Sequence, residues 1–196
     1  MNRTEIINAF IKKYNYNSYL EIGIRNVKQN FERIKCANRV GVDPVISINS
    51  YTYPDIGYQI TSDIYFENLS QDKKFDIIFI DGDHNETQVD KDIFNSLKHL
   101  KEEGTIIMHD CNPPDEDHEK QKCLTVWRSF YKARKKYQDI ESYVIDTDYG
   151  CGVLRKGEKQ VLIKLDDTIL NYSFLEKNRK DALNLISLEE FAEKLK

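Results

Sequence analysis

The segment Phe75–Pro114, FDIIFIDGDHNETQVDKDIFNSLKHLKEEGTIIMHDCNPP, most narrows what this chain can fold into. It holds two apolar runs, Phe75–Ile80 and Thr105–Met108, each ending in acids and a histidine. The first cluster is Asp81, Gly82, Asp83, His84; the second is His109, Asp110, Cys111, Asn112. A continuous apolar run is what a strand buried on both faces of a parallel sheet looks like. Between the two runs, Val89, Ile93, Leu97 and Leu100 fall on one stripe at helical spacing. Strand, helix, strand in that order make a crossover unit, and ligands gather at the carboxyl ends of such strands. Ionisable groups on two neighbouring ends therefore mark a site.

The same pattern organises the rest of the chain. Ile7, Phe10, Ile11 and Tyr14 predict an opening amphipathic helix, and Ser18–Ile24 predicts a buried strand. Val27, Phe31 and Ile34 predict a helix over Asn26–Cys36. Arg39–Val42 reads as a strand closed by Asp43-Pro44, since proline ends ladder pairing. Gly57–Ile60 is a weak strand, followed by a short helix over Thr61–Leu69. Asn85 and Gln88 are spaced as a capping pair, and Gly104 reads as the stop of the helix they begin. A helix is expected over Gln121–Lys136, with Trp127 packing inward and Arg128, Lys132, Arg134, Lys135 and Lys136 on a solvated face.

Ser142–Thr147 and Cys151–Arg155 are too close for a crossover helix, so they form an antiparallel hairpin. Beyond Gly157, Val161–Leu165 is strand-like and Leu188–Leu195 helical. The expected architecture is α/β: a doubly wound, mostly parallel, seven-stranded sheet with a C-terminal antiparallel hairpin. Residues 1–156 read as one domain with an N-terminal helix, and 157–196 as an extension packed on it.

Composition removes several classes of function. A net charge of −4 offers no basic field for nucleic acid. No apolar run is long enough for a membrane span, and the N-terminus lacks a signal-peptide core. Four scattered cysteines without a zinc spacing suit reduced thiols, so a cytoplasmic setting is expected. Nothing in the sequence excludes a homo-oligomer.

The first strand ends in Glu21-Ile22-Gly23-Ile24-Arg25-Asn26. A glycine there lets a nucleotide-like ligand approach the backbone, although Arg25 and Lys28 stand where a full Gly-x-Gly-x-x-Gly would have glycines. Asp43, some 20 residues on, is placed to accept both hydroxyls of a ribose. Asp63 is a candidate for an adenine amino group, or a helix cap. The turn Asp146, Asp148, Tyr149 is explained by hairpin geometry.

Taken in order, Glu21-Ile-Gly23, Asp43, FIDGDH and GTIIMHD resemble class I S-adenosylmethionine-dependent methyltransferases, nearest the small-molecule O-methyltransferase-like branch. The resemblance covers roughly residues 17–155. It implies cofactor binding by Glu21, Gly23, Asp43, Asp63 and Asp81. It also implies that a divalent metal, if used, is held by Asp81, His109 and Asp110, with Asp83 or His84 as general base. Two carboxylates and an imidazole suit Mg²⁺, Mn²⁺ or Fe²⁺. The segment TDYGCGVL resembles bacterial surface-glycan methyltransferases, which points to a small polar acceptor such as a saccharide or glycan precursor. Asn112-Pro-Pro-Asp lacks the aromatic of the amino-methylating tetrapeptide, so oxygen is the expected acceptor atom. The alternatives are an NAD(P)-dependent oxidoreductase, which would need a hydride-transfer pair not seen here, and a non-catalytic cofactor-binding module.

Overall fold

A computed structural model describes residues 1–46, 57–156 and 164–196. Its eight strands among these form one sheet in the order β3-β2-β1-β4-β5-β7-β6-β8. β1 (Ser18–Ile22), β2 (Asn38–Val42), β3 (Gly57–Tyr58), β4 (Phe75–Ile80) and β5 (Leu100–Met108) run parallel. β7 (Cys151–Lys156) inserts antiparallel between β5 and β6 (Ile140–Ile145). The chain leaves β1 toward β2 and β3, then returns to β4 on the other side of β1. That reversal opens a crevice at the carboxyl ends of β1 and β4.

Side chains alternate across the sheet, so each strand feeds two cores. On one face, α1 (Arg3–Tyr14) and α7 (Leu188–Lys194) bring Ile6, Phe10 and Phe191 against Tyr19, Phe79, Ile107 and Val153. On the other, α2 (Ser62–Asn68), α3 (Glu86–Lys98), α5 (Val126–Lys136) and α6 (Tyr172–Leu183) bury Tyr65, Val89, Ile93, Trp127, Phe130 and Leu175 against Leu20, Ile78, Ile106 and Leu154. No described helix is long and apolar enough to cross a membrane.

The structure departs from the sequence expectations in specific places. The sheet gains an eighth strand, β8 (Leu185–Ile186), a two-residue edge piece parallel to β6. Asn26–Cys36 is not an α-helix: one 3₁₀ turn, Phe31–Arg33, lies in an irregular loop. Arg25 adopts a left-handed φ of 41°, and Asn26 turns its side chain onto the Lys28 amide, so the helix never nucleates. Val27, Phe31 and Ile34 are buried even so, because the loop folds its apolar side onto the sheet.

Helix α3 ends at Lys98, with Leu100 already in β5 and Gly104 inside that strand. His99 makes the stop: its Nδ1 is 2.8 Å from the Lys73 carbonyl, and its own carbonyl accepts the Phe75 amide. A Cβ on Gly104 would lie 2.7 Å from Leu100 Cδ1, which is why a glycine sits there. Asn85 does cap α3, but Gln88 turns away toward Ser62, Asp63 and Asp92.

The helix expected over Gln121–Lys136 is broken at Leu124 (φ 46°); a short turn α4 (Glu116–His118) and one π-helical turn, Glu119–Cys123, precede it. Trp127 is fully buried and donates to Glu119. Arg134 is buried rather than solvated, donating to Ser142 and to the carbonyls of Asp181 and Ala182. Of the strand-like piece Val161–Leu165, residues 161–163 lie outside the described residues, and Lys164 and Leu165 are not in a strand.

Candidate functional site

The carboxyl ends of β1, β4 and β5 are level with one another. Gly23 donates its amide to Val42, Asp81 to Ile22, and His109 to Ile80, so each strand hands its next residue to the same rim. Gly23 has φ 93°, and a Cβ on it would stand 2.0 Å from the Asp81 carbonyl oxygen. Only a glycine lets β1 turn away while β4 passes this close.

Over this rim lies a cavity of about 580 Å³. Its walls include Glu21, Gly23, Asp43, Asp63, Asp81, Asp83 and His84, so seven of the nine candidate site residues share one space. His109 and Asp110 border it on the β5 side through contacts with Asp81 and His84. The Asp43 carboxylate accepts the Arg25 amide at 2.8 Å and the Val45 amide at 2.7 Å, which fixes it at the rim. Asp63 accepts from Lys91 at 2.8 Å and from Gln88 at 3.1 Å. Those bonds hold its carboxyl below the usual range.

At the inner wall Glu21 is 2% exposed and accepts from Tyr19 and from Asn30. Burial pushes its pKa up to about 8 despite those donors. Asp92, on α3, is buried at the opposite end beside Gln88, and burial lifts its carboxyl to about 6.

The β4–β5 side of the rim is an array of acids and imidazoles. His84 Nδ1 lies 2.6 Å from the Lys122 carbonyl, which assigns the proton to Nδ1 and leaves Nε2 facing Asp81 (3.5 Å) and Asp110 (3.4 Å). Burial would lower the His84 pKa, but Asp81, the Lys122 carbonyl and Asp110 together raise it. Cys123 donates its thiol to Asp110 at 3.3 Å. Asp110 holds a left-handed φ of 58°, a backbone cost carried at the site itself.

His109 has carboxylates at both nitrogens: Asp81 (3.4 Å) and Asp110 (3.1 Å) at Nδ1, Asp148 (3.4 Å) at Nε2. Burial works against its charge, yet the three acids outweigh it and push the imidazole up to about 11. Among the described residues, atoms spaced for a cation come from Asp81, His84 and Asp110, one from each, all within 4.8 Å of one another. Asp83 is exposed and its Oδ1 accepts the Asn85 amide in the turn before α3.

Two residues join the site that the sequence did not single out for it. Arg3, in the first turn of α1, reaches Asp81 (3.4 Å) and lies against the His109 ring. Its amide donates to Asp148 at 2.9 Å, so the β6–β7 turn binds both Arg3 and His109. Asp148 and Tyr149 have φ of 49° and 60°, as a tight hairpin turn demands, and this is the geometry that reads as purely structural in sequence. Nothing in the sequence around Arg3 signals this position; helix α1 delivers it by packing.

Comparison with known proteins bears on the fold that carries this site. A family described as a methyltransferase domain matches residues 21–111, from the acid of β1 to Cys111 in the second cluster. No curated protein matches the sequence. Among solved structures, a Staphylococcus aureus protein assigned as a caffeoyl-CoA O-methyltransferase shares the fold with a TM-score of 0.63 at 19% identity, over 79% of this chain and 82% of that one. An O-methyltransferase from Bacillus cereus, solved with S-adenosylhomocysteine, gives 0.59 at 17% identity over 80% of each chain. The N-methyltransferase NodS from Bradyrhizobium japonicum gives 0.50 at 15%, over 79% and 94%. Oxygen and nitrogen acceptors thus occur on this one fold. Residues 21–111 thus resemble a methyltransferase domain, and they sit in a fold shared with solved O-methyltransferases.

Proposed function

We propose that the chain transfers the methyl group of S-adenosylmethionine to a hydroxyl oxygen of a small polar acceptor, a saccharide or glycan precursor. One observation carries this reading: a single cavity joins Gly23, Asp43 and Asp63 to the acid–imidazole array of Asp81, His84 and Asp110. Its volume suits a nucleoside joined to an amino acid. The glycine cradle and the fixed Asp43 carboxylate fit the ribose end, and Asp63 and Asp92 the base end. The saccharide assignment draws on the resemblance of Thr147–Leu154 to glycan methyltransferases and on the polar rim around Asp83, His84 and Asp148.

A sulfonium methyl is already electrophilic, so the protein's task is to align the acceptor and take its proton. His84 is the group for that. As the new O–CH₃ bond forms and the S–CH₃ bond breaks, Nε2 accepts the hydroxyl proton. Asp81 and Asp110 then face the resulting imidazolium. Asp81, His84 and Asp110 also fit Mg²⁺ or Mn²⁺ by their donor set and spacing. Such an ion would supply Lewis acidity that lowers the pKa of the acceptor hydroxyl. With His84 then a ligand, Asp83 is the remaining proton acceptor.

Calorimetric titration of S-adenosylmethionine and S-adenosylhomocysteine, with and without Mn²⁺, tests the reading. Micromolar binding followed by methyl transfer to a panel of sugar nucleotides is the expected result. Absence of cofactor binding in every condition would sink it.

A further inference from the structure

The carbonyl that holds the His84 ring belongs to a short segment, residues 122–125, beyond the residues that match a methyltransferase domain. This segment grips His84 at its ring and at its backbone. The Lys122 carbonyl takes Nδ1, while the Thr125 amide (3.3 Å) and the Thr125 hydroxyl (3.1 Å) both donate to the His84 carbonyl. The same hydroxyl oxygen accepts the Glu86 amide at 2.8 Å. One stretch of chain thus sets both parts of His84 and leaves Nε2 toward Asp81 and Asp110.

Thr125 makes these bonds in place of its usual one. It stands at the N-cap of α5, where a threonine side chain ordinarily accepts an amide of the first turn. Here the hydroxyl makes no such cap. Between the two grips, Leu124 has φ 46° and ψ −122°, which is strained for a leucine. That sharp turn lets the Lys122 carbonyl and the Thr125 hydroxyl face one histidine. The forgone cap and the strained leucine are offset at His84 and Glu86, not within α5.

The consequence is a choice of tautomer. An imidazole with its proton on Nδ1 presents a lone pair at Nε2; with the proton on Nε2, that atom can accept nothing. Resting on the reading of His84 as the proton acceptor, we infer that Thr125 is a positioning residue. It keeps the His84 ring on the Lys122 carbonyl, and so keeps Nε2 open to the acceptor hydroxyl. Thr125 itself does not line the cavity.

The test removes the hydroxyl and reads the ring. Thr125→Val keeps the side-chain shape and the amide bond but loses the hydroxyl, whereas Thr125→Ser keeps it. Nitrogen NMR of isotope-labelled histidine, on chelator-treated protein at alkaline pH where the ring is neutral, reports which nitrogen carries the proton. His84→Asn identifies the signals. The unsubstituted chain and Thr125→Ser should hold the Nδ1–H form. Thr125→Val should cut its ratio to the Nε2–H form by about three- to tenfold, the range of a single hydrogen bond. Calorimetric titration of S-adenosylhomocysteine should give the same affinity in all three, because Thr125 lies outside the cavity wall.

An unchanged ratio in Thr125→Val would overturn the inference, as would an Nε2–H ring in the unsubstituted chain or an equal shift in Thr125→Ser. Weakened S-adenosylhomocysteine binding alongside the shift would mean general disruption and overturn it too. If the unsubstituted chain does not bind S-adenosylhomocysteine, the methyl-transfer reading falls and this inference with it. If it binds and the ratio stays fixed in Thr125→Val, only this inference falls. Should circular dichroism show Thr125→Val unfolded, Thr125→Ser carries the test: its ring must match the unsubstituted chain, and a shifted one would overturn the assignment.

Discussion

Asp148 Oδ1 lies 3.4 Å from Nε2 of His109, joining a hairpin turn to the end of a parallel strand 39 residues earlier in the chain. The contact secures the one imidazole of the site that has acids at both nitrogens. Asp148→Asn should lower the His109 pKa, read by NMR of the ring protons. It should also cost about 1–3 kcal/mol of stability at pH 7, as expected when one partner of a partly buried pair is removed. An unchanged His109 titration would show that Asp81 and Asp110 suffice.

Gly23→Ala should be among the most damaging single changes. The added methyl meets the Asp81 carbonyl at 2.0 Å, and φ 93° is strained for any L side chain. A loss of about 3 kcal/mol or more is expected, by denaturant melts, together with loss of cofactor binding. Near-normal stability would mean that β1 and β4 can separate at their ends.

Asp43→Ala should weaken S-adenosylhomocysteine binding at least about tenfold, the worth of one charge-assisted bond. Because the same carboxylate holds the Arg25 and Val45 amides, Asp43→Asn is the sharper variant: it keeps an acceptor for the loop and loses the charge. Binding that survives both changes would remove Asp43 from the ribose role.

The pKa of Glu21 is raised to about 8 in the fold, so the folded chain holds a proton that the unfolded chain releases near 4.5. Its contribution to stability is therefore greatest below that lower value and falls as pH rises toward 8, by at most about 1.4 kcal/mol per pH unit. Asp92, raised from 3.8 to about 6, adds a fall of the same sign between those values. Thermal melts from pH 5 to 8 should show a shallower decline in Glu21→Gln than in the unsubstituted chain. Parallel curves would contradict the burial argument.

Mn²⁺ titrated by electron paramagnetic resonance should bind one site, and Asp110→Asn or His84→Asn should abolish it, while His109→Asn leaves a site behind. That ordering follows from the spacing of Asp81, His84 and Asp110 and from the double engagement of His109. Loss of binding in all three variants equally would return His109 to the ligand set.

Most of the sheet was legible because its strands are short apolar runs punctuated by glycine, aspartate and proline, and the two acid clusters announced the rim. The region Asn26–Cys36 was misread because a loop folded against a sheet buries residues at the same intervals as a helix; Arg25 and Asn26 turn the backbone the other way. Gly104 was misread because a glycine after an amphipathic stripe fits a helix stop, whereas here it relieves crowding beside Leu100. The resemblance gave His109 to a metal and His84 to the general base; what the sequence could not show is that Asp148, brought from a distant turn, faces His109. The place of Arg3 beside Asp81 and His109 was invisible for a related reason, since it depends on where α1 packs.

Arg179 on α6 donates to the Pro113 carbonyl at 2.7 Å and also bonds Asn112, whose amide reaches Asp146 at 2.9 Å. The loop that leaves the second acid cluster is thus tied down by a residue made long after it. On the ribosome, the five parallel strands that frame the cavity are complete once Met108 emerges. The tie at Asn112 waits for some 70 further residues, several seconds at ordinary rates of synthesis. The loop that follows the second acid cluster therefore gains its Arg179 tie only after every strand of the parallel rim has been made.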